Sequence, residues 1–279
     1  MKTNLVLLGT GGDPQIYKGS SCPTSMVLDV DGRPYLVDAG LGVTQQFVKA
    51  NYSLDELHTV FITHLLSDHV IELCPLLHTT WATSYQRTLR VFGPPGIEDV
   101  IEGFYHSLKY DIETRMVEDN KYPIRNIIKT SYLAEGRVLK DDRVEVTAMR
   151  VKHPICNHCY ALRFQMHDKT VVFSSDTAVF PKLADFAAEA DVLVHEVSYS
   201  AGLNAKQRIQ NPKNDTLDSH TKAEEVGIIA NIAGVKHLVL NHIQPRPEGN
   251  YSKIRIYDKV RENWKGKLTI GHDLMWINV

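Results

Sequence analysis

The stretch that decides the fold runs from His58 to His69 and reads HTVFITHLLSDH. Its first half, His58–Thr63, is β-branched and apolar and reads as a strand. A cluster of chemistry-bearing side chains follows at once: His64, Asp68 and His69. The same arrangement recurs further along the chain. His153 follows the strand read over Arg143–Lys152, and Asp176 follows Thr170–Phe173. His195 ends Val192–His195, and His242 follows His237–Asn241. Loops held by rigid strands can place convergent groups accurately. Imidazole nitrogens and carboxylate oxygens together are the donor set of zinc, manganese or iron. A lone loop histidine is more often solvated than metal-bound, and spacing alone leaves the two readings in balance.

Outward from that stretch, short apolar runs alternate with amphipathic ones. Leu5–Leu8, Ser25–Val30 and Pro34–Asp38 read as strands, with an Asp31-Gly32 hairpin turn between the last two. Leu89–Phe92 is a strand, Gly93-Pro94-Pro95-Gly96 a loop and Ile97–Leu108 a helix. Tyr160–Gln165 and Leu268–Ile270 add strands, while Phe180–Ala190, Thr221–Ala233 and Lys253–Asn263 read as helices. Residues 111–142 are polar and irregular, as a lid or edge insert would be. The alternation implies an α/β protein with strands in two sheets and helices outside. No linker divides it, so residues 1–279 read as one domain.

Composition narrows the classes. With 43% hydrophobic and 23% charged residues, the 279-residue chain is an ordinary globular protein, not a disordered or fibrous one. Thirty-one basic against thirty-three acidic residues give a net charge of −2, which weighs against nucleic acid as the main partner. No apolar run has the length of a membrane span, and the first residues lack a secretory apolar core. Four cysteines, Cys22, Cys74, Cys156 and Cys159, are too few for a disulfide framework, so a reduced, cytoplasmic location is expected. The Cys156-Asn157-His158-Cys159 segment is a weak metal or redox signal without a second pair. Cys159 opens an apolar strand and reads as a buried thiol. Thirteen histidines are the unusual feature. His58, His78, His106, His167, His237 and His272 belong to no motif and read as structural or solvated.

The string Thr63-His64-Leu65-Leu66-Ser67-Asp68-His69 resembles the HxHxDH signature of the metallo-β-lactamase superfamily, with Leu66 in place of the second histidine. Leu8-Gly9-Thr10-Gly11-Gly12-Asp13-Pro14, Val37-Asp38-Ala39-Gly40, His153-Pro154, Ser175-Asp176-Thr177 and Asn241-His242 agree in order. Within the superfamily the chain is most similar to the ribonuclease Z and arylsulfatase-like branch. Phe92-Gly93-Pro94-Pro95-Gly96, Val194-His195-Glu196-Val197 and Ser219-His220-Thr221 resemble segments of that branch.

The resemblance implies an αββα four-layer sandwich, the metallo-β-lactamase fold, with one or two zinc ions (manganese or iron as alternatives). One ion would be held by His64, His153 and Asp176, the other by Asp68, His69, Asp176 and His242. Asp38 would fix a ligand histidine. Asp68 would orient a metal-activated hydroxide, and His220 would protonate the leaving group. In the ribonuclease branch a carboxylate three residues before the bridging aspartate pairs with that histidine. Phe173 stands there, so the resemblance leaves the acid of that proton relay unassigned.

Leu66 cannot coordinate a metal, and three outcomes stay open: a low-occupancy first ion, one working ion at the second site, or a binding role without hydrolysis. Transfer-RNA processing in that branch needs an arm between the ligand histidine and the bridging aspartate. Here His153 and Asp176 lie only 23 residues apart. The expected activity is therefore hydrolysis of a small ester, namely a phosphodiester, sulfate ester, lactone or carboxylic ester. Ribonuclease Z-like RNA processing is the alternative enzymatic reading. A homodimer is an open expectation, on the ground that relatives are often dimers. Trp81, Tyr85, Phe104, Tyr105 and Tyr110 could line an apolar pocket but read first as core aromatics, and Arg246 could face an anion.

Overall fold

Strand β1 (Thr3–Gly9), almost wholly buried, is an interior strand rather than an edge. The structure, a computed structural model, describes residues 2–83, 87–199, 219–244 and 249–279. These residues form two compact units. The first comprises Met1–Gly9, Cys22–Leu133 and Asp273–Asn278; the second comprises Thr10–Ser21, Ala134–His272 and Val279.

The first unit holds a seven-stranded sheet ordered β14-β1-β2-β3-β4-β5-β6. Its further strands are β2 (Ser25–Val30), β3 (Arg33–Val37), β4 (Thr59–Phe61), β5 (Leu89–Gly93), β6 (Ile128–Tyr132) and β14 (Met275–Asn278). The turn between β2 and β3 has φ 51° at Asp31 and φ 80° at Gly32, the left-handed pair that a tight hairpin needs. From β3 to β6 the pairing is parallel. Parallel strands need crossovers, which α1 (Val43–Lys49), α2 (Ser67–Val70), α3 (Leu73–Ala82), α4 (Ile97–Ser107), α5 (Lys109–Glu118) and α6 (Ile124–Ile127) supply. Helix α4 shows why these segments coil. Ile97, Ile101, Phe104 and Tyr105 fall on one face and are buried, while Glu98 and Asp99 sit in the first turn, where acids suit the helix dipole. Each such fully buried side chain contributes about 1.5–3 kcal/mol relative to exposure.

The second unit carries a sheet ordered β13-β12-β11-β10-β9-β8-β7. These strands are β7 (Gly136–Lys140), β8 (Glu145–Arg150), β9 (Tyr160–Gln165), β10 (Thr170–Phe173), β11 (Val192–Ser198), β12 (His237–Gln244) and β13 (Lys267–Ile270). Strands β10, β11, β12 and β13 run parallel, and β7 to β10 antiparallel. Helices α7 (Lys182–Phe186), α8 (Ala223–Ala233) and α9 (Gly249–Asn263) complete this unit. The apolar core here joins Leu193, Leu238 and Leu240 to Val226, Ala230, Ile256 and Val260 of α8 and α9.

Two expectations change. Residues 111–142 are not irregular: they form most of α5, then α6, β6 and β7, the last two being edge strands of the two sheets. Their polarity reflects edge position, since strands at an edge are exposed on more than one side. Helix α7 is shorter than the Phe180–Ala190 span and stops at Phe186. No helix among the described residues is long and apolar enough to cross a membrane.

Candidate metal centre

In the first unit the site begins where β4 ends. Asp38, just past β3, accepts hydrogen bonds from the Thr63 amide at 2.8 Å and from Thr63 Oγ1 at 3.0 Å. The same carboxylate lies 2.9 Å from His69 Nδ1, and Asp38 is 1% exposed. Its φ of 62° is unusual for a non-glycine residue and is held by these bonds. Thr63 Oγ1 also lies 3.2 Å from His64 Nδ1, and the His64 and His69 rings sit 3.9 Å apart, centre to centre. Asp68 Oδ2 is 3.7 Å from His69 Nε2. A carboxylate on Nδ1 fixes the tautomer that presents Nε2 as the donor atom. The first unit therefore gathers His64, Asp68 and His69, all buried, with Asp38 orienting one of them. Leu66 occupies the position before α2 and is half-buried.

In the second unit three neighbouring parallel strands deliver the site at their carboxyl ends. Asp176 follows β10, Glu196 lies on β11 and His242 on β12. His242 Nε2 is 3.1 Å from Asp176 Oδ2. His153 follows β8, and its Nδ1 is 3.1 Å from the Ser219 carbonyl, which again directs Nε2 outward. His220 Nδ1 is 2.8 Å from Glu196 Oε2, and the His220 ring centre lies 5.3 Å from His153 and 5.5 Å from His242. Glu196, His220 and His242 offer donor atoms all within 4.8 Å of one another. Gly12 is pressed onto this cluster: a Cβ there would come within 2.9 Å of His242 Nδ1, so any larger residue displaces the imidazole.

Glu196 fills the acid position that Phe173 left unassigned. Phe173 is a core side chain at 1% exposure, and the acid that pairs with His220 comes from β11 instead. The backbone amide of Thr177 donates to Glu196 Oε1 at 2.7 Å. Burial pushes the Glu196 carboxyl up, while His220 opposes that shift by favouring the charged form. The signal was present in Val194-His195-Glu196-Val197, an acid ending an apolar strand; only the fold pairs it with His220. Neighbouring His195 is fully buried, its Nδ1 2.7 Å from the Glu196 carbonyl, and burial pushes its imidazole down to about 4.

Other candidate side chains take structural places. Trp81 and Phe104 are core residues, Tyr105 is buried beneath the Arg125 guanidinium, and Tyr110 is 85% exposed. Tyr85 and Arg246 lie outside the described residues. His78 is 2.7 Å from Asp111, and His237 Nε2 is 2.9 Å from Thr269 Oγ1, as structural histidines would be. Cys159 is fully buried, in line with the thiol reading.

The family model described as Anti-Pycsar protein Apyc1 matches residues 3–209. The chain belongs to that family. This family member is also similar to the ribonuclease Z of Mycolicibacterium gilvum (strain PYR-GCK), 27% identical over 99% of this chain and 96% of that protein. Among solved structures it resembles the metallo-β-lactamase fold protein YhfI from Bacillus subtilis, with TM-score 0.75 and 19% identity over the whole of both chains. It also resembles a diphosphatase from the PhnP family, with TM-score 0.69 and 14% identity over 99% of this chain and 98% of that one. The fold is therefore the metallo-β-lactamase fold, in the α/β class, and the resemblance to the ribonuclease Z branch is borne out. The ribonuclease name counts against the low weight that the charge balance gave to nucleic acid.

Proposed function

We propose that this protein is a metal-dependent hydrolase of small ester substrates, a phosphodiester first among them. The observation that carries the reading is the buried Glu196–His220 pair beside His153 and His242. Such a pair is a proton donor set among imidazoles, where a leaving oxygen needs a proton. Names of similar proteins lend phosphorus the priority, since a ribonuclease and a diphosphatase both act on phosphorus–oxygen bonds.

The donor chemistry fits one or two zinc ions, with manganese or iron as alternatives. His64, His153 and Asp176 would hold one ion; Asp68, His69, Asp176 and His242 would hold the other. A bound ion would lower the pKa of its water to near neutrality and offset charge on substrate oxygens. Asp68 accepts the proton from the attacking water. His220, its Nδ1 fixed by Glu196, gives a proton from Nε2 to the departing oxygen. Asp38 keeps His69 aimed. Leu66 removes one ligand from the first ion and leaves an apolar wall in its place.

A second reading, RNA as the substrate, rests on the ribonuclease Z relative that aligns with 99% of this chain. It breaks the same kind of bond. Against it, the path from His153 to Asp176 holds only the short loop up to Cys159, β9, the Met166–Lys169 turn and β10, too few residues for a protruding arm.

Protein reloaded with zinc or manganese tests these readings. Aryl and cyclic phosphodiesters, aryl sulfates, lactones and a structured RNA form the panel, with metal content measured in parallel. Turnover of a small phosphodiester above the others is the expected result. Turnover of RNA alone selects the second reading, and no turnover by metal-loaded protein leaves a binding role. Leu66→His should raise the metal-to-protein ratio; an unchanged ratio by elemental analysis removes the claim that Leu66 weakens the first ion.

A further inference from the structure

The loop from His153 to Cys159 joins a proposed metal ligand to a thiol that grips a second one. Its base is closed by the Val151 amide donating to the Cys159 carbonyl at 2.9 Å. Cys159 Sγ–H donates to the Asp176 backbone carbonyl at 3.2 Å and lies 3.1 Å from Ser175 Oγ. Ser175, directly before Asp176, has φ 55°, so this thiol helps hold a backbone turn that is uncommon outside glycine. At the other end of the loop, the Cys156 amide donates to the His153 carbonyl at 2.9 Å. That turn folds the Cys156 side chain back, and its Sγ reaches the His158 carbonyl at 3.6 Å. This carbonyl belongs to the peptide unit that leads into Cys159. Cys156 is half-buried, whereas Cys159 is fully buried.

We propose that Cys156 and Cys159 form an oxidisable pair whose cross-link releases the Asp176 turn and weakens metal binding at His153 and Asp176. The inference rests on the assignment of those two residues as ligands. The oxidant is hydrogen peroxide. The more accessible Cys156 sulfur attacks one peroxide oxygen: the S–O bond forms, the O–O bond breaks and the other oxygen leaves as water with the Cys156 thiol proton. Cys159 sulfur then attacks Cys156 sulfur: the S–S bond forms, the S–O bond breaks and a second water leaves with the Cys159 proton. Two thiols are oxidised and one peroxide is reduced to two waters. A disulfide sets the sulfurs about 2 Å apart and the two Cβ atoms about 3.8 Å apart. Cys159 then has no thiol proton for the Asp176 carbonyl, and the Ser174–Thr177 turn loses that support.

The test uses the full chain, reduced, loaded with zinc and then titrated with hydrogen peroxide, beside Cys156→Ser treated identically. Both cysteines fall in one tryptic peptide, His153–Arg163, so the cross-link is read as a loss of two hydrogens from it. The expected result is that loss, roughly tenfold weaker zinc binding and faster amide exchange over Ser174–Thr177, all reversed by dithiothreitol and all absent in Cys156→Ser. No internal cross-link, or a cross-link with zinc affinity and exchange unchanged, overturns the proposal. If the reduced protein binds no zinc, the metal assignment falls by itself. Peptide mass and exchange then still decide whether the pair controls the turn.

Discussion

The two units hold their histidines in different ways. In the first, one short segment carries nearly everything: His64, Asp68 and His69 lie within six residues, and Asp38 binds both Thr63 and His69. In the second, His153, Asp176, Glu196, His220 and His242 come from five separate places along the chain, with Asp176, Glu196 and His242 aligned by β10, β11 and β12. A local constellation needs one loop to be right. A dispersed one needs the register of a whole sheet, because a one-residue slip turns each side chain to the other face. The contrast sets where damage should be confined and where it should spread.

The largest expected effect lies in the dispersed half. His220→Ala should lower turnover of the preferred ester by about 10²–10⁴-fold while metal content holds. Glu196→Gln should lower it less and flatten the pH profile, since the imidazole keeps a hydrogen-bond partner without its charge. Metal loss in His220→Ala would mean that this histidine is a ligand and would break the division of roles proposed here. In the local half, Asp38→Asn should weaken metal binding by about 10–100-fold, measured by competition with a chelator. If it instead unfolds the protein, the aspartate is a keystone of the β3–β4 junction more than an orienting group.

The smallest effect comes from acid. Burial, followed by the positive charge of Lys267, pushes the His237 imidazole down to about 4 from its ordinary 6.5. Between those values the unfolded chain binds a proton that the folded chain refuses, so stability present at neutral pH is lost as pH falls from about 6.5 toward 4. His195, pushed down to about 4 by burial, adds in the same direction. Thermal melts from pH 7.5 to 4.5 should show a falling midpoint, with a gentler fall in His237→Gln. An identical fall in that variant would place the acid sensitivity elsewhere.

Much of the fold was legible because periodicity records burial. Ser25–Val30, Tyr160–Gln165 and Thr170–Phe173 are strands with the bounds the apolar runs suggest. Strand β14 was not legible: Met275–Asn278 is short, half of it is exposed, and it becomes a strand because β1 offers an unpaired edge. The helix over Leu73–Ala82 was also missed: Leu73, Leu76, Leu77 and Trp81 are buried on one helical face, but Cys74 and Pro75 blur that spacing in the sequence. At the site, the His64–His69 cluster is visible as residue types in sequence, whereas the Glu196–His220 pair spans 24 residues with nothing local to join it.

By itself, then, the sequence determined which residues can bind metal or carry protons, and the strand ends on which they ride. Those facts depend on side-chain chemistry and on the two-residue period of a strand, both local. Tertiary structure alone decided which acid meets which imidazole, that Phe173 is core and Glu196 the partner, and that a buried thiol supports the Asp176 turn. Those pairings depend on the order and register of strands far apart in the chain, and no short window of residues contains them.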